Sequence, residues 1–285
     1  MSSPTITTAT ANKTDGDLSL LSPERLAWAR RKRITRKIWT FVPVLTFVGI
    51  VIVWGISVAA FKIPDYLLPG PIAVFERLIT DWPYLWENTL VTLSEIAAGF
   101  GITIIVAIPL GLLIAKSLAA RQIIYPPVML LQLLPKVAVA PLFVVWMGLG
   151  FESKLLLTIL MTFFPLLIAS ISGFQILDER LLYLTKSMGA NGWQTFRFLR
   201  FPAALPVIFS GLKTSATIAA TAALVAEFVG SNSGLGYVLL QATNTLDSTA
   251  VFAVLVLLTI IGVVLNYLVE FVEYLMTPYQ RARTS

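Results

Sequence analysis

The sequence KSMGANGWQTFRFLRFPAALP, residues 186–206, is a short basic stretch between two long apolar segments. With Arg180 just upstream it has four cations, and it has two glycines near its start and two prolines near its end. Such a stretch is too polar to cross a bilayer, whereas the flanking segments reach the roughly 20 apolar residues that a spanning helix needs. The stretch is therefore predicted to lie at a membrane surface and to join two spanning helices.

The composition of the whole chain supports a membrane protein. Of its 285 residues 57% are hydrophobic and 13% are charged, compared with a charged fraction of about 25% in soluble domains. The chain has no cysteine and no histidine, which excludes disulfides, the usual zinc sites and Ser-His or Cys-His catalysis. No paired carboxylates stand at metal-ligand spacing in an apolar segment. The net charge of +6 comes from basic residues in loops between apolar segments, so no nucleic-acid partner is predicted.

The hydropathy pattern predicts an all-α polytopic membrane protein with six transmembrane helices. Residues 1–37 are predicted to be a disordered, basic tail, residues 38–277 the six-helix domain with a loop at 178–205, and residues 278–285 a second tail. The predicted spans are about 40–61, 90–115, 123–149, 153–176, 206–230 and 250–276.

The distribution of lysine and arginine predicts the orientation. Of the 21 cations, 17 fall on one side of these spans, which the positive-inside rule assigns to the cytoplasm together with both termini. The basic run from Arg25 to Lys37 is interpreted as this flank rather than as a docking arm. The loop 62–89 is predicted to be external and to contain a short interfacial helix, because Ile72, Phe75 and Leu78 recur at helical spacing.

The stretch around residue 189 is predicted to form two short helices. Residues 178–188 read as a helix that Gly189 ends in a left-handed conformation. Asn191 can cap a second helix that stops before Pro202. Trp193 and Phe196 would share one face of this helix, and Arg197 and Arg200 another. Because so short a helix is not stable alone in water, it should pack on another surface.

The spacing of Gly189, nine residues and Leu199-Arg200-Phe201-Pro202 resembles the "EAA…G…I-x-L-P" loop of importer-type ABC transporter permeases. Three further stretches are similar to signatures of the nitrate, sulfonate and taurine branch of that family. The four stretches are distributed along most of residues 64–240. The three further stretches are LPGPIAVFERL (68–78), LPKVAVAPLFVVWMGLG (134–150) and SNSGLGYVLL (231–240).

The resemblance implies a type I importer permease architecture in which the loop holds coupling helices that dock on an ATP-binding subunit. The family's E-A-A positions fall on Tyr183, Leu184 and Thr185, so the glutamate is missing, and Leu199 and Phe201 replace the family's Ile and Leu. A loop that merely joins two spans is the alternative. The implied coupling residues are Tyr183, Leu184, Thr185, Gly189, Ala190, Asn191, Trp193, Arg197 and Pro202.

The family also implies the partners. These are a second permease subunit, identical or different, two ATP-binding cassette subunits that bind ATP and magnesium, an extracytoplasmic solute-binding protein and membrane lipid. The location would be the cytoplasmic (inner) membrane of a prokaryote. The chain contains no G-x-x-x-x-G-K-[ST] phosphate loop. It is therefore predicted to be a transport subunit with no catalytic residues, no metal and no cofactor of its own.

Polar residues inside the predicted spans are candidates for a solute pathway, because they are costly in a bilayer. Pro126, Pro127, Pro135 and Pro141 interrupt the third span, and broken helices commonly line transport cavities. Gln132 and Lys136 share a face there, and Lys136 could meet a solute, snorkel, or pair with a carboxylate.

In the fifth span Glu227 could pair with Lys136, or it could stabilise structure near residues 231–236. Thr217 and Thr221 could face the pathway, or they could bond to their own helix backbone, which is favoured.

Two other functions remain open at this stage. An ion-gradient-driven secondary transporter would need several intramembrane carboxylates, of which Glu227 and Glu95 are the only candidates. An intramembrane enzyme would need a catalytic constellation, and the absence of histidine and cysteine argues against the common ones. The branch includes transporters of nitrate, sulfonates, taurine, bicarbonate and thiamine-precursor pyrimidines. The P-K-V-A-V-A-P motif of this chain looks more like the sulfonate or pyrimidine-precursor members.

Overall fold

The computed structural model describes Val42 and residues 45–278, except for the side chain of Glu179. Every regular element in these residues is a helix, which confirms the all-α prediction. The helices are α1 (Leu45–Phe61), α2 (Pro71–Thr80), α3 (Trp82–Lys116), α4 (Leu118–Ile123), α5 (Tyr125–Gln132), α6 (Lys136–Met147), α7 (Phe151–Phe174), α8 (Glu179–Ser187), α9 (Gly192–Thr195), α10 (Phe201–Gly230), α11 (Leu235–Asn244) and α12 (Ser248–Met276).

The number of spans agrees only partly with the predicted six. Four continuous helices are long and apolar enough to cross a membrane, namely α3, α7, the α9–α10 helix Gly192–Gly230, and α12. A fifth span requires the bent pair Leu118–Gln132 and Lys136–Met147 to count as one. The sixth would be α1, whose predicted start falls outside the described residues, as do the predicted tail 1–37 and all of the predicted tail 278–285 except Pro278. The chain divides into two compact units at Ala60 and Phe61, and α1 is described by itself.

The predicted short helix in the loop after α1 is present as α2, but the next span begins earlier than predicted. α3 starts at Trp82 rather than near residue 90, so the second half of the predicted external loop is helical. Pro83 fits the first turn, where a missing N–H costs nothing. Trp82 and Trp86 stack one turn apart, with ring centroids 5.5 Å apart.

The third predicted span is broken at one place rather than at four prolines. Its two halves bend by 95° across residues 133–135, where Pro135 precedes the first residue of α6. Pro126 and Pro127 lie in the first turn of α5 and do not interrupt it, while Pro141 lies inside the continuous α6. The expected proline-induced bend is therefore present, but only at Pro135.

The core is formed by α7, which packs between α3 and α10. Small residues permit this close approach, since a Cβ atom added at Gly99 would meet Thr158, and one added at Gly211 would meet Ala169. Hydroxyl groups join the three helices. Thr103 and Thr162 share a hydrogen bond of 2.8 Å, and Ser215 Oγ donates to the Thr162 carbonyl at 2.9 Å. Small residues with interhelical hydroxyl bonds are typical of packing in membranes.

The prediction that the second short helix stops before Pro202 is wrong. After α9 the backbone makes a π turn at Phe196–Arg200 and continues into α10 without a break. Pro202 comes directly after this π turn, where the regular i→i−4 hydrogen-bond pattern has already changed, so the helix continues through it. The short helix is thereby rigidly connected to a helix that runs to Gly230, and π turns frequently mark functional sites.

Candidate functional site

The segment 178–201 begins with α8 and its two caps. The Asp178 carboxylate accepts the Arg180 N–H at 2.9 Å at the start of the helix. Gly189 has a φ of 80°, and the Ala190 N–H donates to the Thr185 carbonyl at 3.1 Å. The predicted left-handed glycine cap is thus confirmed.

Asn191 caps the second helix as predicted. Its Oδ1 accepts the Gln194 N–H at 2.7 Å, and the Gln194 Oε1 accepts the Asn191 N–H at 2.9 Å. This reciprocal capping box satisfies two backbone donors that would otherwise lack partners. It defines where the chain turns from α8 into α9.

Phe196 anchors the segment to the spanning helices. Its ring lies 6.3 Å from that of Phe174 at the end of α7, 5.8 Å from Phe201 and 5.7 Å from Trp193. The Lys116 Nζ at the end of α3 lies 4.7 Å from the centre of the same ring. The segment therefore contacts the last turns of both α3 and α7, and the predicted shared face of Trp193 and Phe196 is confirmed.

The opposite side of the segment exposes large side chains. Tyr183 is 68% exposed and Trp193 is 65% exposed, and Leu184, Met188 and Phe198 are exposed as well. Exposed aromatic and long apolar groups on a rigid, capped platform are typical of interaction surfaces.

A basic groove lies beside these exposed groups. Its volume is about 450 Å³, and among its lining residues are the cations Lys116, Lys186 and Arg200 and no carboxylate. Of the predicted coupling residues, Ala190 lines the groove, whereas Arg197 is exposed outside it. Arg200, which was predicted to share a face with Arg197, lines the groove. Lys116 was missed, because 70 residues of sequence separate it from Lys186 and only the packing of α3 brings it there.

The predicted pathway residue Thr217 belongs to an exposed hydroxyl stripe on α10. Ser210, Thr214, Thr217 and Thr221 follow one another at helical spacing and are all exposed, while the opposite face of α10 is buried. Thr214 donates to the Ser210 carbonyl and Thr217 to the Lys213 carbonyl, each at 3.0 Å. The favoured backbone bond of Thr217 is therefore present.

Gln132 and Lys136 are satisfied inside the broken span. The Lys136 Nζ donates to the Gln132 carbonyl at 2.8 Å and lies 5.2 Å from the centre of the Phe164 ring. The Gln132 amide contacts the Met129 sulfur at 3.1 Å. Lys136 thus covers a carbonyl at the bend and has no ion pair with Glu227, contrary to the suggested pairing.

Glu227 instead belongs to a buried polar cluster, defined here by Asn88, Thr92, Glu95, Lys154, Glu227, Ser231 and the turn to Gly236. Glu95, Glu227 and Lys154 are 0%, 1% and 5% exposed. Lys154 on α7 forms an ion pair with Glu95 on α3 and donates to the Ser231 Oγ at 3.0 Å. The alternative reading of Glu227, that it stabilises structure near residues 231–236, is confirmed.

The cluster fixes the turn between α10 and α11. Thr92 donates to the Glu227 Oε1 at 2.6 Å and accepts the Leu235 N–H at 2.9 Å. Asn88 accepts the Gly234 N–H at 2.8 Å, and Glu227 accepts the Gly236 N–H. Gly234 is required, because its φ is 101° and an added Cβ would meet the Glu227 carboxylate.

A second polar cavity of about 410 Å³ lies where α2, α3, α11 and α12 meet. Arg77 joins two carboxylates there, Asp81 at 2.7 Å and Asp247 at 2.9 Å. These residues also join α2 to the start of α12. Within the residues described, no cluster of three or more acidic side chains could hold a metal ion.

Residues 107–279 match the family described as "Binding-protein-dependent transport system inner membrane component". The chain is 32% identical to the formylaminopyrimidine transport permease protein ThiX of Halalkalibacterium halodurans, over 84% of this chain and 96% of that protein. It is 34% identical to the riboflavin transport system permease protein RibX of Chloroflexus aurantiacus, over 83% and 89%. It is 27% identical to the taurine transport system permease protein TauC of Escherichia coli, over 88% and 92%.

The fold resembles that of a chain in the MetNI methionine ABC transporter, solved in inward-facing conformations. The TM-score is 0.59 at 18% identity, and the match covers 68% of this chain and 98% of that one. At this identity the likeness is one of fold.

Proposed function

Since the chain belongs to the binding-protein-dependent transport system inner membrane component family of ABC importer permeases, we propose that it transmits ATP-driven motion from a partner subunit through residues 178–201. One observation carries the proposal. The segment is capped at both helices, contacts α3 and α7 through Phe196, and continues without a break into α10. A force applied to α8 and α9 therefore reaches three spanning helices at once.

The partner is an ATP-binding cassette subunit, and its docking surface should be acidic. The groove has three cations and no carboxylate in its lining, and the family's glutamate position is occupied by Tyr183. An Asp or Glu of the ATP-binding subunit inserted between Lys116, Lys186 and Arg200 would complement this charge. Trp193 and Tyr183 supply the apolar anchors.

The transport complex contains two permease subunits, two ATP-binding subunits and an external solute-binding protein, with both termini of this chain in the cytoplasm. The second permease subunit is either a second copy of this chain or a different permease chain. Solute passes along the hydroxyl stripe of α10, because an exposed polar stripe on a spanning helix is better satisfied by a water-filled pathway than by lipid. ATP binding to the partner subunit is coupled, through the motion of α10, to the side of the membrane on which the solute pathway opens.

The hydroxyl stripe favours an uncharged or weakly charged solute. The neighbouring Lys213 is paired with Glu273 on α12 at 2.6 Å, and Lys136 is bonded to a backbone carbonyl. A heteroaromatic compound with several hydrogen-bonding edges fits this surface better than an inorganic anion does. The names of two relatives, which refer to formylaminopyrimidine and riboflavin, point the same way.

Copurification tests the docking surface. The tagged chain, expressed with its ATP-binding subunit, should retain that subunit in mild detergent, and Trp193→Ala should lose most of it. Phe75→Ala is the matched control, since Phe75 is an equally exposed aromatic residue on α2. Equal retention by both variants would contradict the proposal.

Transport tests the pathway. Proteoliposomes containing the whole complex and binding protein would be supplied with formylaminopyrimidine, riboflavin or taurine. Thr217→Val should lower uptake several-fold, whereas Thr259→Val should not, because Thr259 is an exposed, backbone-bonded threonine on α12. Uptake that follows an ion gradient without ATP would favour the secondary-transporter alternative.

A further inference from the structure

The buried polar cluster has more acid groups than its cation can balance. Two carboxyl groups, Glu95 and Glu227, share the site with the single ammonium group of Lys154. All three side chains are at least nine-tenths buried. Fully ionised, the site would hold one uncompensated negative charge away from water, which is strongly unfavourable.

One oxygen of Glu95 has no donor. The Glu95 Oε2 is buried and accepts no hydrogen bond within the described residues. Thr92, about one turn before Glu95 on α3, donates to the Glu227 Oε1 at 2.6 Å, so the Glu227 carboxyl group lies beside this part of α3. An ionised carboxylate can only accept hydrogen bonds, so a second ionised carboxylate cannot supply the missing donor, whereas a protonated one can.

We propose that Glu95 and Glu227 form a proton-binding site in which Glu227 holds one resident proton and uses it to donate a hydrogen bond to the Glu95 carboxylate. Lys154 places the negative charge on Glu95, because it is ion-paired with that residue and not with Glu227. Glu227 is then a neutral acid whose two oxygens also accept from Thr92 and from the Gly236 N–H. The proton supplies the one positive charge that is needed to balance the second carboxyl group.

The proton holds the turn 231–236 in place. Glu227 lies at the end of α10, and Glu95 and Thr92 lie on α3, so the shared proton joins two spanning helices. The same residues hold the backbone of Leu235 and Gly236 at the start of α11. Loss of the proton would place two adjacent negative charges at this joint and drive α3 and α10 apart. This site is distinct from the segment 178–201, and its proton does not depend on the ATP-binding subunit.

Other ionisable groups near the cluster do not replace this proton. α11 has only Tyr237, whose hydroxyl accepts from Gln241, and α6 has only Lys136, which is bonded at the bend. Glu152 in the first turn of α7 is exposed. The ionisable groups of α12, which packs on α10 and α11, lie in its last three turns: Tyr267, Glu270, Glu273 and Tyr274.

Infrared spectroscopy of the purified full-length chain tests for the proton directly. At neutral pH the wild type should show the C=O stretch of a protonated carboxylic acid, and Glu227→Gln should abolish it. Glu87→Gln is the matched control, because Glu87 is an exposed residue two turns away on the same helix as Glu95, and it should leave the band unchanged. A wild type without the band, or a band that persists in Glu227→Gln, would overturn the proposal.

Thermal unfolding gives a second readout. The folded chain holds a proton that the unfolded chain releases at neutral pH, so the thermal midpoint of the wild type should fall as pH rises. An amide mimics a neutral acid, so Glu227→Gln should fold at neutral pH and lose this pH dependence. Failure of that variant to fold would count against the proposal. So would a midpoint that rises with sodium chloride but not with choline chloride at fixed pH, since it would assign the site to a metal cation. None of these measurements requires transport or ATPase activity.

Discussion

The two ends of α10 differ in exposure. The first turn follows the segment 178–201, whose large side chains are exposed, and the last turn enters the buried polar cluster around Glu95, Lys154 and Glu227. Near each end lie a glycine with positive φ, Gly189 or Gly234, and a lysine from a neighbouring helix. At the first end Lys116 lies over a ring and faces a groove, while at the last end Lys154 is enclosed with its carboxylate. The same residue types therefore serve a partner at one end and the fold at the other.

The largest difference in stability between the two ends is expected for variants of their lysines. Lys154→Met leaves the Glu95 charge buried and unpaired, which should cost about 3–5 kcal/mol of unfolding free energy. Lys116→Met removes a partly exposed cation–π contact worth about 0.5–1 kcal/mol. Unfolding in mixed micelles by increasing sodium dodecyl sulfate would measure both.

A matched double variant checks the cause. Glu95→Gln combined with Lys154→Met removes both members of the ion pair and should recover more than half of the lost stability. Equal losses in the single and double variants would show that Lys154 acts through packing rather than through charge.

The two glycines give the next largest effect. Gly234→Ala should cost about 3 kcal/mol, because its backbone conformation is almost restricted to glycine and its Cβ would meet Glu227. Gly189→Ala should cost about 1–2 kcal/mol, because its φ is also positive but no atom lies within 4 Å of an added Cβ. The same unfolding titration compares them, and similar losses would mean that the cluster does not constrain the turn.

The next comparison is between two side-chain oxygens that accept backbone N–H groups, the buried hydroxyl of Thr92 and the exposed amide oxygen of Asn191. Thr92→Val leaves the buried Leu235 N–H without its partner and should cost about 1–3 kcal/mol. Asn191→Ala removes an exposed helix cap worth about 1 kcal/mol. Hydrogen exchange should show the loss in Asn191→Ala confined to residues 189–200, and the loss in Thr92→Val spread over α3 and α10. A global loss in Asn191→Ala would contradict the separation.

The smallest stability effect is expected at Arg197. Arg197→Gln removes an exposed charge that has no ion pair within the described residues, so the unfolding free energy should change by less than about 0.5 kcal/mol. The affinity for an acidic ATP-binding subunit should still fall, and the fall should be larger at low salt because surface charges are screened by ions. An affinity that does not change in Arg197→Gln at low salt would show that this charge does not contribute to docking.

Local features of the segment 178–201 could be predicted because they depend on neighbouring residues. The cap at Gly189, the capping box at Asn191 and the contact of Trp193 with Phe196 all form within a few positions of one another. The stop before Pro202 was wrong, because the π turn at Phe196–Arg200 lets the helix continue through the proline. The number of spans was predicted from apolar length alone, and that length does not reveal where α3 begins or where the third span bends.

The buried cluster shows the opposite case. Its charged members are separated by 59 residues between Glu95 and Lys154 and by 73 between Lys154 and Glu227. The sequence analysis singled out Lys136 as a cation inside a span and did not single out Lys154, which lies at the start of the predicted fourth span. Nothing in the hydropathy of a single helix shows which of two lysines faces a neighbouring carboxylate.

The sequence by itself therefore determined the class of the protein, its family and the short capped segment between two spans, because composition, apolar length and local capping are properties of contiguous residues. The tertiary structure alone decided which charges are paired. The packing of α3, α7 and α10 through glycine and alanine brings Glu95, Lys154 and Glu227 into contact and removes water from them. It also brings Lys116 to the groove beside Lys186. Such contacts depend on the distance between helices, which a linear sequence does not specify.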